Sequence, residues 1–274
     1  MTARSSNRAF ARRPPSFLEN VRVILVEPQT PGNIGSACRA MKTMGLTNLV
    51  LVNPVPFRQH AEARNFAHGA HDVLESARVV QTLGEAIGDL HLLVGTTNRR
   101  RIGVLPEMCT AREAAQRVAE TAPTHRVGLL FGREDRGLTT PELTHCQVIA
   151  TIPAAEGMPS LNLSHAVQVF AYEVFQASLG TTVRRPADLA NLAEQEALLQ
   201  RVNALLLAIG FVPFRNDSEA FAQTLRRVFG RAGMQRQDVR ALHKLVSALQ
   251  RRLGLPQGAS EQACRDAPEE SVPR

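Results

Sequence analysis

Short apolar runs alternate with mixed stretches along the first two thirds of the chain. The runs cover residues 21–27, 48–54, 91–97, 126–132 and 148–153. Near-continuous apolar runs of this length are typical of strands that are buried on both faces of a parallel sheet. Helical patterns lie between them, at 36–45, at 83–87 and after Thr110, whose partner Glu113 completes a capping box. This order of elements predicts an α/β fold with a mostly parallel sheet covered by helices.

The stretch 152–178 joins the last apolar run to an apolar helix through a polar turn. From residue 161 onward, apolar residues recur at helical spacing and cover more than one face. We therefore expect a helix over 161–178 that packs on its own sheet and on a second subunit. Ser160, Asn162 and Ser164 stand at its first turn, where free backbone N–H groups can bind a polar ligand. The simpler interpretation is that Ser160 caps the helix and Asn162 bonds the local backbone.

The remaining third of the chain is helical in pattern and basic. Helices are expected from Asn191 to near Gly210, over 218–230 and over 236–253. Residues 184–252 hold 12 Lys and Arg against 6 Asp and Glu, whereas residues 1–183 hold 18 against 15. A charged helical face is often only solvated, but this excess also favours contact with a nucleic acid backbone. With one Tyr and no Trp, recognition of bases by stacking has little support.

Both ends of the chain have the composition of unstructured segments. Residues 1–20 are predicted to form a flexible basic arm, since residues 1–18 contain four arginines and no acid. An organellar transit peptide is the alternative interpretation of this arm. Residues 254–274 are predicted to form a disordered tail. No apolar run is long enough to span a bilayer and no signal-peptide core follows Met1, so we expect a cytoplasmic protein without membrane contact.

Cysteine and histidine spacing gives no support for a metal site. The cysteines contain no C-x-x-C pair, so they are predicted to be reduced structural thiols; they are Cys38, Cys109, Cys146 and Cys264. His68 and His71 have a spacing that can hold a metal, but no third ligand stands at a suitable distance. We expect no metal.

Three strand-to-turn junctions carry polar motifs. They are P-G-N-I-G-x-x-x-R over 31–39, F-G-R-E-D-R-G-L over 131–138, and I-P followed by S-L-N-L-S over 152–164. In order and spacing they resemble the motifs of the SPOUT superfamily of S-adenosylmethionine-dependent RNA methyltransferases, specifically its TrmH-like 2′-O-ribose branch. The F-V-P-F-R-N and L-R-R-V-F-G-R-A-G-M segments within 197–252 resemble the tail of the TrmJ group, which methylates tRNA. The resemblance covers roughly residues 21–253.

The resemblance implies a more specific architecture than the pattern alone. It implies a trefoil knot near the C-terminal end of the sheet, S-adenosylmethionine bound by the loops of the knot, and an active site completed across a homodimer interface. The implied division is a methyltransferase domain over 21–179, a linker over 180–190 and a small helical tRNA-binding domain over 191–253. The segment 28–35 is predicted to be a Gly/Pro turn before the first helix.

The resemblance also implies the catalytic residues, which are Arg39, Asn33, Glu134, Ser160 and Asn162. Arg39 is placed at the ribose hydroxyl, as a base or as the group that orients and acidifies it. Arginine is a reluctant base, so an electrostatic or phosphate-assisted role has equal weight. Asn33 is expected to shape the first loop and contact the ribose or Arg39, while Glu134 fixes a neighbouring arginine or the methyl donor.

The cofactor positions implied by the resemblance lie on three loops. They are Thr96, Thr97, Asn98, Gly132, Ile152, Pro159, Ser160 and Leu161; the glycine is expected to let a ligand approach the backbone. The basic loop Arg99, Arg100 and Arg101 follows the strand 91–97 at the edge where open α/β sheets bind ligands, so phosphate contact and simple solvation both remain open. Further RNA contacts are predicted for Arg226, Arg227 and Arg231.

The function implied is S-adenosylmethionine-dependent 2′-O-ribose methylation of tRNA, at cytidine or uridine 32 on the 5′ edge of the anticodon loop. One alternative keeps the fold and changes the substrate to rRNA or to another tRNA site. The other is a knotted RNA-binding module without catalysis, which the presence of Asn33, Arg39, Glu134 and Asn162 disfavours.

Overall fold

The structure, a computed structural model, describes residues 12–99, 108–158, 160–181, 187–211, 218–231 and 233–255. Within these ranges the chain forms seven strands and ten α-helices. The strands are β1 (Val21–Val26), β2 (Asn48–Val52), β3 (Arg78–Val80), β4 (Leu92–Thr96), β5 (Met108–Thr110), β6 (Val127–Phe131) and β7 (Val148–Thr151). The helices are α1 (Pro31–Thr43), α2 (Ala61–Phe66), α3 (His71–Ser76), α4 (Leu83–Ile87), α5 (Ala111–Thr121), α6 (Thr140–Leu143), α7 (Leu163–Leu179), α8 (Leu192–Ala208), α9 (Ser218–Arg231) and α10 (Arg236–Arg252).

All seven strands join one sheet in the order β3-β2-β1-β6-β4-β7-β5, and each pairing is parallel. Ile24 of β1 lies opposite Val50 on one side and opposite Leu130 on the other. All six residues of β1 are buried, as expected for a central strand covered on both faces. The predicted parallel sheet is confirmed. This strand order brings the carboxyl ends of β1, β6, β4 and β7 side by side.

Helices cover both faces of the sheet because alternate strand residues point to opposite sides. One face packs against α1, α2, α3, α5 and α7, and its core includes Leu25, Met41 and Phe170. The Phe131 and Phe170 rings meet edge to face, with centroids 5.5 Å apart. The other face packs against α4, α6 and the first residue of α8. The two apolar layers hold the strand ends rigidly in place.

Two edge strands, β3 and β5, are absent from the sequence prediction. Each is three residues long, and neither forms an apolar run in the sequence. Arg78 and Val79 of β3 are exposed, and all of β5 is only half-buried. Such strands are defined by pairing with a neighbour rather than by their own composition. The five apolar runs do form strands, each ending one or two residues inside its predicted bounds.

The predicted turn over 28–35 is wrong in its second half. Helix α1 begins at Pro31, so residues 31–35 form its first turn, with proline in the position where a missing N–H costs nothing. Gly35 lies against the backbone of α2, and a Cβ there would stand 2.1 Å from the Ala63 carbonyl oxygen. The glycine therefore serves close helix packing. Gly45, with φ +77°, follows the end of α1 as predicted.

Helix α7 lies between α1 and α5 on one face of the sheet. Phe170 and Val174 are buried, whereas Tyr172 is 45% and Leu179 is 42% exposed. Burial on several sides is thus only partly achieved within one chain. The contact with a second subunit stays a prediction.

The three C-terminal helices pack on one another and on the side of the sheet where the amino ends of the strands lie, which we call its amino edge. Asn191 and Glu194 form a capping box at the start of α8, where the sequence predicts that a helix begins. Next to it, the N–H groups of Leu192 and Ala193 donate to the carbonyl oxygens of Leu90 and Gly88, at 2.8 and 3.0 Å. A small apolar core joins the helices, formed by Ala190, Leu198, Met234 and Val239. The predicted bounds of the three helices are confirmed to within two residues.

The described cysteines are free thiols without a disulfide partner, as the spacing predicts. Burial raises the pKa of Cys38 to about 12 and also raises the pKa of Cys146, so both are inert. Cys264 lies outside the described residues. None of the helices in the described ranges combines the length and apolar character needed to cross a membrane.

Candidate active site at the carboxyl edge of the sheet

A cleft opens where β4, β6 and β7 end. Its floor is apolar and includes Phe131, Leu138 and Phe170. Its walls include seven of the eight positions predicted for the cofactor, which are Thr96, Thr97, Asn98, Gly132, Ile152, Ser160 and Leu161. The eighth, Pro159, lies outside the described residues. Binding of a cofactor by these residues stays a prediction, but the structure does bring them together around one cleft.

The packing of the loop after β6 requires glycine at position 132. A Cβ at this position would stand 2.1 Å from the backbone carbon of Gly137, because the loop after β6 folds back on itself. The N–H of Gly137 closes this turn by donating to the Arg133 carbonyl oxygen, at 2.9 Å. The absence of a side chain is therefore needed for the close packing of this loop, and the approach of a ligand to Gly132, which also lines the cleft, stays a prediction.

Glu134 joins the loop after β6 to the start of α1. Its carboxylate accepts hydrogen bonds from the N–H groups of Gln29 and Thr30, at 2.9 and 3.1 Å, and from Asn33 Nδ2, at 3.0 Å. Thr30 makes no side-chain cap of its own, so the carboxylate of a distant residue serves the open end of the helix. Among the described residues, Glu134 thus binds backbone donors and an amide, and its predicted contact with an arginine or with the methyl donor stays a prediction.

Asn33, which binds Glu134, also binds Asn162 of the third motif. Asn162 Nδ2 donates to Asn33 Oδ1 at 2.9 Å, while Asn162 Oδ1 accepts from the N–H and the hydroxyl of Ser164 at 2.9 and 2.7 Å. Asn162 is the N-cap of α7. The simpler interpretation of this corner is therefore wrong for Ser160, which is exposed at the cleft and does not cap the helix. It is incomplete for Asn162, which bonds both the local backbone and Asn33.

A buried arginine next to Glu134 is part of the site that sequence analysis missed. Arg133 is 8% exposed, and its Nε donates to Glu27 at 2.7 Å. Its two terminal nitrogens donate to the two carboxylate oxygens of Glu142, at 3.1 and 3.0 Å. The one available signal was the spacing Thr139-x-x-Glu142, a capping box that marks a carboxylate near the loop.

The charges in this cluster stabilise one another. The hydrogen bond from Arg133 lowers the pKa of Glu27, and the same bond raises the pKa of Arg133. Burial alone would raise the pKa of Glu142, but the bonds from Arg133 and from the Thr139 N–H outweigh it, so this pKa is lowered too. All three groups are charged near neutral pH.

Arg39 lies on a different face of α1 from Asn33 and is not among the described residues that line the cleft. It is six residues after Asn33 on α1, about 120° around the helix axis by ideal helix geometry. Its side chain is exposed and has no hydrogen-bond or ion-pair partner among the residues that the structure describes. Within one chain, therefore, Glu134 and Ser160 line the cleft, and hydrogen bonds connect Asn33 and Asn162 to Glu134. The fifth predicted catalytic residue, Arg39, makes no such contact among the described residues.

Known proteins are similar in sequence to this chain over most of its length. The profile of the SpoU rRNA Methylase family matches residues 20–172. The tRNA (cytidine/uridine-2'-O-)-methyltransferase TrmJ of Yersinia pestis (strain Pestoides F) is 38% identical over 248 residues, covering 88% of this chain and 95% of that protein. TrmJ of Salmonella typhimurium is 39% identical over 242 residues, covering 85% and 98%.

The chain belongs to the SpoU methylase family, in its TrmJ group. A solved structure agrees: that of TrmJ from Z. mobilis ZM4 matches with a TM-score of 0.73 and 33% identity, over 84% of this chain and 98% of that one. The resemblance based on the three junction motifs is confirmed, and so is the enzyme class, a methyltransferase.

The arginines predicted for RNA binding have different surroundings in this SpoU methylase. Arg99 lies at the cleft, where its N–H donates to the Thr97 hydroxyl. The Arg226 guanidinium binds both oxygens of Glu196, at 2.9 and 2.6 Å, and so joins α9 to α8. This residue therefore contributes to helix packing, and its contact with RNA stays a prediction. Arg227 is half-buried on α9. Arg100, Arg101 and the side chain of Arg231 lie outside the described part of the chain.

Proposed function

We propose that this chain transfers the methyl group of S-adenosylmethionine to the ribose 2′-hydroxyl of a cytidine or uridine in tRNA. The hydrogen-bonded chain from Glu134 through Asn33 to Asn162 carries the proposal, because it links the three family motifs at the mouth of one cleft. TrmJ relatives with this activity in their name cover most of the sequence. Position 32 of the anticodon loop is the nucleotide that the group resemblance implies.

The cleft suits S-adenosylmethionine in its chemistry. The apolar side chains of Phe131, Leu138 and Phe170 suit an adenine ring, and the hydroxyl and amide groups of Thr97, Asn98 and Ser160 suit a ribose and an amino acid. When bound, S-adenosylmethionine supplies a methyl group on a positively charged sulfur. The carboxylate of Glu134, which also lines the cleft, is a favourable neighbour for such a charge.

The residues of the chain would act mainly by holding groups in line. Methyl transfer is an in-line displacement, so the 2′-oxygen must stand on the far side of the methyl carbon from the sulfur. Asn33 and Asn162 fix each other and the start of α7, which gives the acceptor side a rigid wall. Arg39 would orient the 2′-hydroxyl and stabilise the charge that develops on its oxygen, and the hydroxyl proton would pass either to Arg39 acting as base or to water.

A second copy of the chain would complete the site. Arg39 has no partner in the described part of its own chain and is not one of the described residues that line the cleft. Exposed side chains of α7, Tyr172 and Leu179, offer apolar surface on the same side of the sheet as α1. We therefore include a homodimer in the proposal, with Arg39 of one copy reaching the cleft of the other.

The finer architecture is also part of the proposal. The loops after β6 and β7 would form the trefoil knot, residues 21–179 the methyltransferase domain, and 191–253 a helical domain that binds the tRNA backbone. The support for the last point is the net positive charge of 184–252.

Methyl transfer from labelled S-adenosylmethionine to total tRNA, with rRNA in parallel, tests the proposal. We expect a 2′-O-methyl group at cytidine or uridine 32, located by mass spectrometry. A methyl group found only in rRNA would contradict the substrate. RNA binding without transfer or cofactor affinity would replace the proposal by a binding module.

Arg39→Ala tests the catalytic role of this residue. We expect the transfer rate to fall roughly 100-fold, because the group that orients the acceptor is lost, while cofactor affinity is kept. Lys42→Ala, which removes a basic side chain of the same helix, is the control and should keep the rate. An Arg39→Ala enzyme that folds, binds both ligands and transfers at the wild-type rate would exclude the role.

A further inference from the structure

We infer that Arg133 is a positioning residue for methyl transfer, which acts by holding the Glu134 carboxylate against the start of α1. The inference rests on the proposed function, because Glu134 is one of the groups of that cleft. Arg133 itself does not need to touch cofactor or RNA: its guanidinium is buried between Glu27 and Glu142.

Arg133 and Glu134 are neighbours in the loop after β6, and both bind the loop after β1. Arg133 binds Glu27, the residue just after β1, and Glu134 binds the N–H groups of Gln29 and Thr30. The loop after β6 is thereby joined to the loop after β1 at two successive points. If the first point is released, the second must hold the loop alone.

The backbone at Glu27 shows that this geometry is imposed. Its φ is +45°, in the left-handed region that a residue with a side chain seldom adopts. Its N–H donates to the Val52 carbonyl oxygen at 2.8 Å, and its carboxylate accepts from Arg133. These two bonds hold the unusual conformation, which turns the chain so that the N–H groups of Gln29 and Thr30 face Glu134.

The other end of the Arg133 guanidinium binds the far end of the same loop, at the start of α6. Its two terminal nitrogens bind Glu142 side by side, a geometry that fixes direction as well as distance. Glu142 also accepts from the Thr139 N–H at 2.7 Å, so it belongs to the start of α6. The loop from Gly132 to Thr139 is therefore held at both ends through one side chain.

Removing the guanidinium would leave Glu142, whose side chain is 15% exposed, without its paired bonds, and would leave the Glu27 carboxylate with Arg136, at 3.7 Å, as its remaining cation among the described residues. The loss of these bonds would open the loop and move Glu134 away from α1. Lysine would not replace it, because a single ammonium lacks the fork that meets Glu27 and Glu142 together.

The test compares Arg133→Met with Arg22→Met. Arg22 is the matched control: it is 7% exposed and binds both oxygens of Asp89, at 2.6 and 2.8 Å, at the opposite edge of the sheet. Both variants should lower Tm by a few degrees. We expect Arg133→Met to lower kcat by about 100-fold and Arg22→Met to keep it within about threefold. If Arg133→Met does not fold, Glu142→Gln is a milder variant that removes part of the same contact, and it should also lower kcat.

Coupling to Glu134 separates positioning from general stability. In a Glu134→Ala background, adding Arg133→Met should lower kcat by less than about threefold, because the contact it serves is already lost. A full additional loss of the single-variant size would show that Arg133 acts independently and would overturn the inference. So would an Arg133→Met or Glu142→Gln enzyme with the wild-type kcat.

Amide hydrogen exchange at Gln29 and Thr30 provides a readout that does not depend on activity. Their N–H groups donate to Glu134, so exchange should quicken in Arg133→Met and stay unchanged in Arg22→Met. Unchanged exchange in Arg133→Met would overturn the inference. A wild-type enzyme that transfers no methyl group would instead refute the proposed function, and the exchange result would still decide the role of Arg133.

Discussion

The two edges of the sheet are built with the same kind of ion pair and differ in what surrounds it. At the amino edge, Arg22 is buried against Asp89, which also binds Arg126 at 2.8 Å. At the carboxyl edge, Arg133 is buried between Glu27 and Glu142. Each arginine has a bidentate carboxylate partner and almost no exposure, so burial and pairing alone do not distinguish them.

The neighbours of each pair make the difference. At the amino edge, the start of α8 covers the strand ends through bonds from Leu192 and Ala193 to the backbone. At the carboxyl edge, the loops leave a cleft lined by Glu134 and Ser160, next to the first turns of α1 and α7. Helix N-termini and loops meet at the carboxyl ends of parallel strands, which is why polar chemistry gathers there.

Substitution by alanine at Gly132, just after β6, and at Gly128, near its start, should give the largest difference in activity between the two edges. At Gly132 a Cβ would meet backbone of Gly137, which cannot yield without moving the loop, so we expect methyl transfer to fall more than about 100-fold. At Gly128 it would meet the ends of Leu90 and Leu93 side chains, at 2.6 and 2.8 Å. Overpacking of that kind costs about 1–3 kcal/mol.

The two glycine variants are compared by urea unfolding and by the transfer rate per folded molecule. Gly128→Ala should lose stability and keep its rate. A Gly128→Ala enzyme as inactive as Gly132→Ala would break the distinction between the edges.

Two asparagine caps form the next pair. Asn162 caps α7 at the carboxyl edge and Asn191 caps α8 at the amino edge. Alanine at either position should cost about 1 kcal/mol of stability. Asn162→Ala should also lower kcat about tenfold, because it removes the bond to Asn33, a loss of about 1–1.5 kcal/mol.

Thermal unfolding and initial rates check both cap variants. Equal rates in the two variants, at equal loss of stability, would show that Asn162 is only a helix cap.

The smallest expected effect is on the pH dependence of stability at the amino edge. The hydrogen bond from Arg22 lowers the pKa of Asp89 from 3.8 to about 2. Because the folded-state pKa lies below the unfolded one, this group's contribution is present above about pH 4 and is lost as the pH falls toward about 2. Asp89→Asn should remove that part of the dependence.

Urea unfolding of wild type and Asp89→Asn at several pH values between 5 and 2 measures this difference, with points at about half-unit spacing. The gap in free energy of unfolding between them should narrow as the pH falls. A gap that stays constant would mean that the Arg22 pair contributes nothing specific in the folded state.

Local patterns predicted the parts of the fold that depend on local physics. The apolar runs became the strands β1, β2, β4, β6 and β7, and capping boxes at Thr110 and Asn191 marked the starts of α5 and α8. The motif spacing also led to the family and to the positions that line the cleft. Edge strands β3 and β5 escaped notice because pairing, rather than composition, defines them.

By itself, then, the sequence determined the fold class, the element order and the residue types of the site, since hydrophobic period and capping act over a few residues. Only the tertiary structure decided the roles. It showed Glu134 at the end of α1, Gly132 against its own loop, and Arg226 tied to Glu196. The central connections join Asn33 to Glu134 and to Asn162, which are 101 and 129 positions away. Contacts at such separations depend on how the sheet is ordered, and no local pattern records that.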